Sequence, residues 1–450
     1  MEKQFTNDWT ATTKRLEELN ERLLTPLDAA GYVPDPAIPV LKYDETFGDQ
    51  GKMVFRTPAK LLTIATSITA AHETTSKFWV TMYETYLPPS NPPNYAALAR
   101  ITATGEMDLR FGPNKDGFAQ VKFDDENYTT LESMHELTDG KTIVFGELVE
   151  RNDTSTYRKP MITKLLADGV KDESFGESGV VDVGQALKQP VEGALYAADK
   201  QDRILVLAII EKGGYPNSLL TRLTAEGDLD QTFEGVWIQQ EGDLSAAPLD
   251  MVLNNDDEKI IIAFRNPAGD HLICFDSEGK IDRNFGEDGF VDLSNAFMDF
   301  GSCSFTQGSN HLFLSGNYYD GGKFISAALA NYTTDGVPEP IFNGGKPAHS
   351  NFGKGFPFRV WHRASERSHN PYTIKVLGWY QQSGGESYQV VGQYTSDGKP
   401  DLSFIEGHAI GHPPVEDYFT IGKTFIGDTS TRSLVAGRSS GNATIFAVKG

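Results

Sequence analysis

The chain has 450 residues, 39% hydrophobic and 11% aromatic, with 44 glycines and 23 prolines: enough apolar material for a core and enough glycine for many tight turns. Sixty-two acids against 40 bases give a formal charge of −22, a field that repels phosphate backbones and excludes nucleic acid as the expected partner. That charge reads either as a well-solvated acidic surface or as an attraction for cations or a basic partner protein.

No run of about 18 uncharged apolar residues occurs, so no membrane span is expected. Two cysteines, Cys274 and Cys303, supply neither a disulfide framework nor zinc-motif spacing. The N-terminal stretch MEKQFTNDWTATTKRLEELNERLL lacks the basic start, apolar stretch and cleavage site of a secretory signal. Cytoplasmic location is therefore the default expectation, with signal-independent export left open. Thr6, Asn7 or Asp8 can cap a helix in which Trp9, Leu16, Leu19 and Leu23 recur near helical spacing. Pro26 and the Pro34–Pro36 region stop that helix, so residues 1–36 read as a helical extension and linker. Its apolar stripe packs on the rim of the remaining domain, or serves as a partner-binding or lid helix.

From residue 37 onward one pattern recurs: a hydrophobic strand, an acid-glycine turn, an acid, then phenylalanine and glycine. In chain order the copies read KYDETFG, TATGEMDLRFG, LADGVKDESFG, TAEGDLDQTFEG, DSEGKIDRNFG, TTDGVPEPIFNG and TSDGKPDLSF. The marker phenylalanines are Phe47, Phe111, Phe175, Phe233, Phe285, Phe342 and Phe404, spaced by 64, 64, 58, 52, 57 and 62 residues. Three positions before each stands an acid (Asp44, Asp108, Asp172, Asp230, Asp282, Glu339, Asp401). Six positions before stands a glycine in all copies but the first. Glycine allows the positive φ of a tight reversal, and the acid can accept backbone amides and fix the bend. The phenylalanine is suited to fill the space between adjacent sheets. A calcium role for the aspartates is the alternative, but their spacing lacks the dense oxygen-ligand loop that calcium needs.

Between the markers lie β-rich runs. One series reads FWVTMYE, TIVFGEL, ILVLAII, IIIAFRN, LFLSGNY, IKVLGWY and SLVAGRS, and a second runs from YAALARI to TIFAVKG. Less regular strands such as GALYAAD and FRVWHR precede them, and short segments such as VVDV and FVDL follow. Four strands per repeat, seven times, predict an all-β seven-bladed propeller over residues 37–450. An open solenoid is the competitor, but units of about 60 residues without a capping repeat argue against it. The last strand, TIFAVKG, lacks the turn that follows its counterparts, and that missing half stands near the N-terminus as VLKYDETFG. The two ends are therefore expected to share one blade and close the ring, leaving no open edge.

These copies resemble the bacterial delta-60 repeat, whose units read approximately as a strand followed by D-G-x-x-D-x-x-F-G. The resemblance covers residues from about Val40 to Gly450. It implies a β-propeller and brings no catalytic residue set. The copy at Phe342 departs most, with Glu339, Pro340 and Asn343, and the copy at Phe404 has Ile405 where glycine is expected. Altered loops are expected in those two blades.

No nucleophile elbow, phosphate loop or zinc-protease signature is present. Five of the nine histidines, His349, His362, His369, His408 and His412, lie within 64 residues. His408 and His412 form H-x-x-x-H on a glycine- and proline-rich loop, a metal pair only if a third ligand converges, so no metal or cofactor is expected. Trp361, Arg363, Trp379 and Tyr380 stand nearby. With His362, His408 and His412 they are the candidate ligand-binding residues, since aromatics beside arginine and histidine suit a sugar or peptide; blade packing is the competing reading. The function expected is non-catalytic binding of a protein or small ligand through loops and the N-terminal helix. The alternatives are a saccharide-active hydrolase or lyase using the central channel, and a carbohydrate-binding lectin. The sequence leaves the oligomeric state open.

Overall fold

The computed structural model describes residues 39–449 apart from short internal stretches (56–61, 72–76, 86–95, 152–155, 213–214, 239–245, 255–258, 268, 294–298, 308–310, 321–322, 350–357, 368–372, 382–386, 406–409, 415–416, 420–424, 428–431 and 441). The helix expected within residues 1–36 lies outside them.

Seven antiparallel sheets follow one another along the chain. Blade 1 comprises Leu62–Ala70, Lys77–Thr85, Ala96–Thr102 and Phe118–Val121. Blade 2 comprises Tyr128–Glu136, Thr142–Arg151, Thr156–Leu165 and Val180–Asp182. A five-residue helix, Val183–Leu187, capped by Asp182, leads to blade 3: Gly193–Ala198, Ile204–Lys212, Tyr215–Leu223 and Val236–Ile238. Blade 4 has Ala247–Leu253, Lys259–Asn266, Gly269–Asp276 and Phe290–Asp292. Blade 5 has Asp299–Gln307, His311–Asp320, Lys323–Thr333 and Ala348–His349. Blade 6 has Phe358–Arg367, Thr373–Gln381, Ser387–Thr395 and Ile410–Gly411. Blade 7 has a broken first strand (Asp417–Phe419 and Phe425–Gly427), then Arg432–Ser439 and Asn442–Lys449, and takes Lys52–Val54 as its fourth.

The alternation of strand direction gives the ring two faces. One carries the phenylalanine turns and the first-to-second hairpins, and is called here the motif face. The other, the connection face, carries the second-to-third hairpins and the links between blades. Middle strands such as KIIIAFRN are buried almost throughout, because each sheet is sandwiched between two neighbours. Seven hydrophobic clusters each join two consecutive blades, including blades 7 and 1, so the ring is closed. Each cluster holds one marker phenylalanine, none more than 7% exposed.

The joint between blades explains the motif. Gly279 of blade 4 has φ 83° and lies on the ring of Phe233 in blade 3. A Cβ there would sit 2.7 Å from Phe233 Cζ, so glycine is needed for closeness as well as for conformation. The residue after the phenylalanine often ties the same joint: the amides of Gly48, Gly176, Gly286 and Asn343 donate to carbonyls in the next blade's turn. Asn343 takes φ 48°, a conformation that asparagine tolerates better than most residues, so this copy keeps the joint without its glycine. In the Phe404 copy Ile405 is instead buried beside Leu41 in the seam between blades 6 and 7.

The acid three positions before the phenylalanine makes two kinds of bond. Its carboxylate accepts the amide two residues on, as in Asp230 with Thr232 (2.9 Å) and Asp172 with Ser174 (3.2 Å). A base then meets its other oxygen: Arg100 for Asp108, Arg222 for Asp230, Lys259 for Asp282 and Arg432 for Asp44. Arg222 also lies 4.7 Å from the Phe233 ring centroid and donates to the Ser277 carbonyl in the next blade at 2.8 Å. Burial opposes ionisation of Asp230, but bonds from Thr232 and Arg222 outweigh it and bring its pKa down to about 2. Burial likewise opposes ionisation of Asp108 and Asp401, and their hydrogen bonds still hold both below the usual carboxylate range.

Closure uses residues 39–55. Asp44 N–H donates to the Ala447 carbonyl and Phe55 N–H to that of Ala443, each at 2.8 Å. The fully buried carboxylate of Asp417 accepts Tyr43 Oη at 2.9 Å and pairs with Lys52 Nζ at 2.8 Å. On the other side Leu41 N–H donates to the His412 carbonyl, joining the strap to the outer edge of blade 6.

Removing residues 443–450 should aggregate the protein or strip much of its thermal stability; a monomer melting near wild type would refute this closure. Phe175→Ala and Phe285→Ala should each cost about 3–5 kcal/mol in urea unfolding. Asp172→Asn should cost far less, because its amide oxygen still accepts Ser174 N–H; losses of equal size would contradict this account of the joint. The depressed Asp230 pKa contributes stability present above the unfolded value of about 3.9 and lost as pH falls through about 2. Asp230→Asn should therefore be the weaker protein at about pH 6, with the gap closing toward about pH 2 in stepped-pH denaturation. A gap independent of pH would overturn that assignment.

Candidate functional site

The first strands of neighbouring blades contact one another and line the central channel. They are also where pairing breaks most, with one further shift at Tyr318/Tyr319 between the second and third strands of blade 5. Register shifts occur at Ala65/Ser67, Leu131/Ser133, Pro248/Asp250 and Asp299/Ser304, and twice in blade 6, at Phe358/Val360 and Trp361/Arg363. The extra residues so created include Thr66, Glu132, Leu249, Arg359 and His362. A bulge re-aims side chains, and such irregularities are concentrated beside functional sites. Gly146 shows the local cause: it pairs with Leu131, and a Cβ there would sit 2.0 Å from the Thr130 carbonyl oxygen. Gly378 stands opposite Trp361 in the same way.

The expected ligand-binding residues separate into two groups. Trp361, His362 and Arg363 stand on the channel-lining strand of blade 6 at its second register shift. Trp379 and Tyr380 stand on the adjacent strand, opposite Val360 and Phe358. All five thus belong to one blade rather than to two. His412 is elsewhere: it follows the fourth strand, about 14 Å from the first by strand spacing. Its buried imidazole donates from Nδ1 to the Pro413 carbonyl at 2.8 Å, beside the closing strap. His408 and His369 lie outside the described residues.

Sequence reasoning missed a polar cluster at the seam of blades 2 and 3. Tyr196, on the channel strand of blade 3, stacks on Phe145 of blade 2 (ring centroids 4.6 Å apart, planes at 9°). The residue is 7% exposed, and its buried hydroxyl has no hydrogen-bond partner. Such an orphan costs about 1–3 kcal/mol. Burial first, then the carboxylates of Glu132, Glu147 and Asp182, hold its ionisation well above the ordinary tyrosine range. Glu147 pairs with Arg158 at 2.6 Å, and Asp182 accepts Gln185 N–H at 3.0 Å. The isolated Gly146 within TIVFGELV was the available signal for the bulge that carries Glu132.

A second polar group stands on blade 5, where Ser326 Oγ lies 3.0 Å from His349 Nδ1 and Tyr318 meets the imidazole edge-on at 4.6 Å. Burial lowers the His349 pKa, so the ring is neutral at neutral pH. Cys274 is a buried free thiol with its pKa pushed up to about 12 by burial, which makes it inert. Among the described residues no three metal-ligating side chains come together, and no helix is long and apolar enough to cross a membrane.

No family model matches the chain, and no curated protein does either. Among solved structures it is similar to the β-propeller domain of the Trilobed protease from Pyrococcus furiosus, at 9% identity and a TM-score of 0.43, over 86% of this chain and 96% of that one. It is similar also to Drosophila Semaphorin 2a, at 11% identity and a TM-score of 0.49, over 91% and 76% of the two chains. A GH32 β-fructofuranosidase from Bombyx mori shows 10% identity and a TM-score of 0.33, over 97% and 95%. Similarity at this level carries no argument about activity; the seven-bladed architecture stands on the chain's own strand order.

Proposed function

We propose that this protein is a non-catalytic binding propeller, built on a delta-60-like repeat, that engages a protein or small ligand at its channel. The observation that carries this reading is the uneven use of the blades. The motif residues are committed to the joints, whereas the channel strands depart from regular pairing. Blade 6 does so twice, around Trp361, His362 and Arg363. Residues 1–36, with Trp9, Leu16, Leu19 and Leu23 at near-helical spacing, are the second proposed contact. A saccharide-active enzyme would need the same channel, so one experiment addresses both.

Purified protein should be screened against glycan and peptide arrays and, with each glycan retained, assayed for cleavage. Binding without turnover is expected, weakened at least about tenfold, or about 1.4 kcal/mol, by Trp361→Ala or Arg363→Ala at near-unchanged melting temperature. Turnover of any retained glycan would replace this reading with the enzyme. Full binding by both variants would move the site off blade 6.

A further inference from the structure

Four of the motif turns tie down their acid with one further bond. The residue before the phenylalanine is serine or threonine, and its hydroxyl donates to the carboxylate: Thr46 to Asp44, Ser174 to Asp172, Thr232 to Asp230 and Ser403 to Asp401, all within 2.7 Å. Blade 5 forgoes this bond. Ile341 stands there instead, donates only its backbone amide to Glu339 at 3.3 Å, and is 73% exposed. In the next turn Leu402, 62% exposed, takes the place that blades 2 to 4 give to Glu173, Gln231 and Arg283. Val337 and Val40 are 53% and 51% exposed. The joints ask for no aliphatic side chain at these places.

These four residues share one sector of the motif face. Asn343 N–H donates to the Asp397 carbonyl, and a Cβ on Gly398 would lie 3.1 Å from the Phe342 ring, so the turns of blades 5 and 6 abut. Leu41, which follows Val40 in the strap, meets Ile405 and Gly411 at the far end of the blade 6 turn. Among the described residues six large hydrophobics are more than half exposed, and this sector holds four of them; Leu109 and Tyr157 are the others. A cluster of that kind marks a surface that something covers.

We propose that this sector is the seat of the chain's own residues 9–23. The chain supplies that occupant at the patch itself, because Val40 is where it enters the ring. The 16 residues between Leu23 and Val40 span roughly 50 Å when extended, enough to fold back over the neighbouring turns. Tethering also holds the segment near the patch at high effective concentration. Trp9, Leu16, Leu19 and Leu23 fall on one side of a helix, and Lys14, Glu18 and Glu21 on the other. With three bases (Lys14, Arg15, Arg22) against three acids (Glu17, Glu18, Glu21), the segment is not repelled by the acidic ring. A second copy of the chain is the poorer occupant, since each copy carries a formal charge of −22. Seated, the apolar stripe covers the patch, and a partner meets the charged side of the segment. This deepens the second contact proposed above and does not rest on the channel.

The test is hydrogen exchange, read by mass spectrometry, on the full chain and on the free peptide of residues 1–36. In the wild type, residues 9–23 are expected to exchange about tenfold or more slowly than in the peptide. The double variant Ile341→Thr with Leu402→Gln installs the residue types that blade 3 carries at Thr232 and Gln231. It also gives the blade 5 turn a hydroxyl for its acid, so the melting temperature should hold or rise and lost protection cannot be blamed on misfolding. That variant should return residues 9–23 to the rate of the peptide. Val170→Thr, at an exposed aliphatic in the distant turn of blade 2, should leave them protected. Peptide-like exchange in the wild type overturns the seat, as does protection that the double variant keeps or that Val170→Thr abolishes equally. Protection that fades on dilution overturns it in favour of a second copy. Trp361→Ala in the array experiment tests the channel without touching these turns, so the two ideas fail separately.

Discussion

Everything in this ring depends on one contact: the edge of a phenylalanine in one blade against a glycine in the next blade's turn. It fixes the distance between sheets, because neither partner can swell or shrink without opening or jamming the seam. The electrostatics reinforce the same joint. Arg222 touches the Asp230 carboxylate, the Phe233 ring and a carbonyl of the following blade at once. Lys164 and Arg432 reach the equivalent carbonyls of Ala225 and Ala103. A cation that grips its own blade's acid and its neighbour's backbone resists both sliding and splaying.

The position of that cation is not constant. In blades 1 and 3 it stands on the third strand as Arg100 or Arg222, and in blade 2 Lys141, beside the second strand, meets Asp172. In blade 4 the third-strand place is Cys274, and Lys259 on the second strand meets Asp282 instead. In blade 7 the place is Ala447 and Arg432 takes over. The joint preserves a charge in space rather than a residue in a column. With the joints so occupied, freedom to vary is left to the channel strands, and most of the register shifts are found there.

This division explains what was legible in the sequence. The spacing of acid, phenylalanine and glycine reveals seven blades because a steric contact tolerates no substitute, and Leu41 replaces glycine only where the chain joins the ring without a turn. The alternating cation was not legible, since two positions on different strands share one role. Tyr196 reads as an ordinary strand aromatic; its unpaired hydroxyl is a property of the seam, which exists once blades 2 and 3 are packed. The place of His412 was not legible for a related reason. Residue type says nothing about which edge of a blade a histidine occupies, and His412 is on the outer one.

The strap of residues 39–55 also has a meaning in time. It is synthesised before any blade, yet its partners Asp417, Arg432 and Ala447 emerge only after the six blades between them. Leu41, Phe47, Met53 and Phe55, all buried in the closed ring, have no seam to occupy until the final sheet exists. Six blades can assemble from contacts local to each repeat, but the last step pairs segments nearly the whole chain apart. Such long-range pairing is slow, and it leaves an apolar strand and an open sheet edge exposed together while it waits. The geometry that makes the finished ring seamless therefore makes its nascent form the most aggregation-prone species this chain passes through.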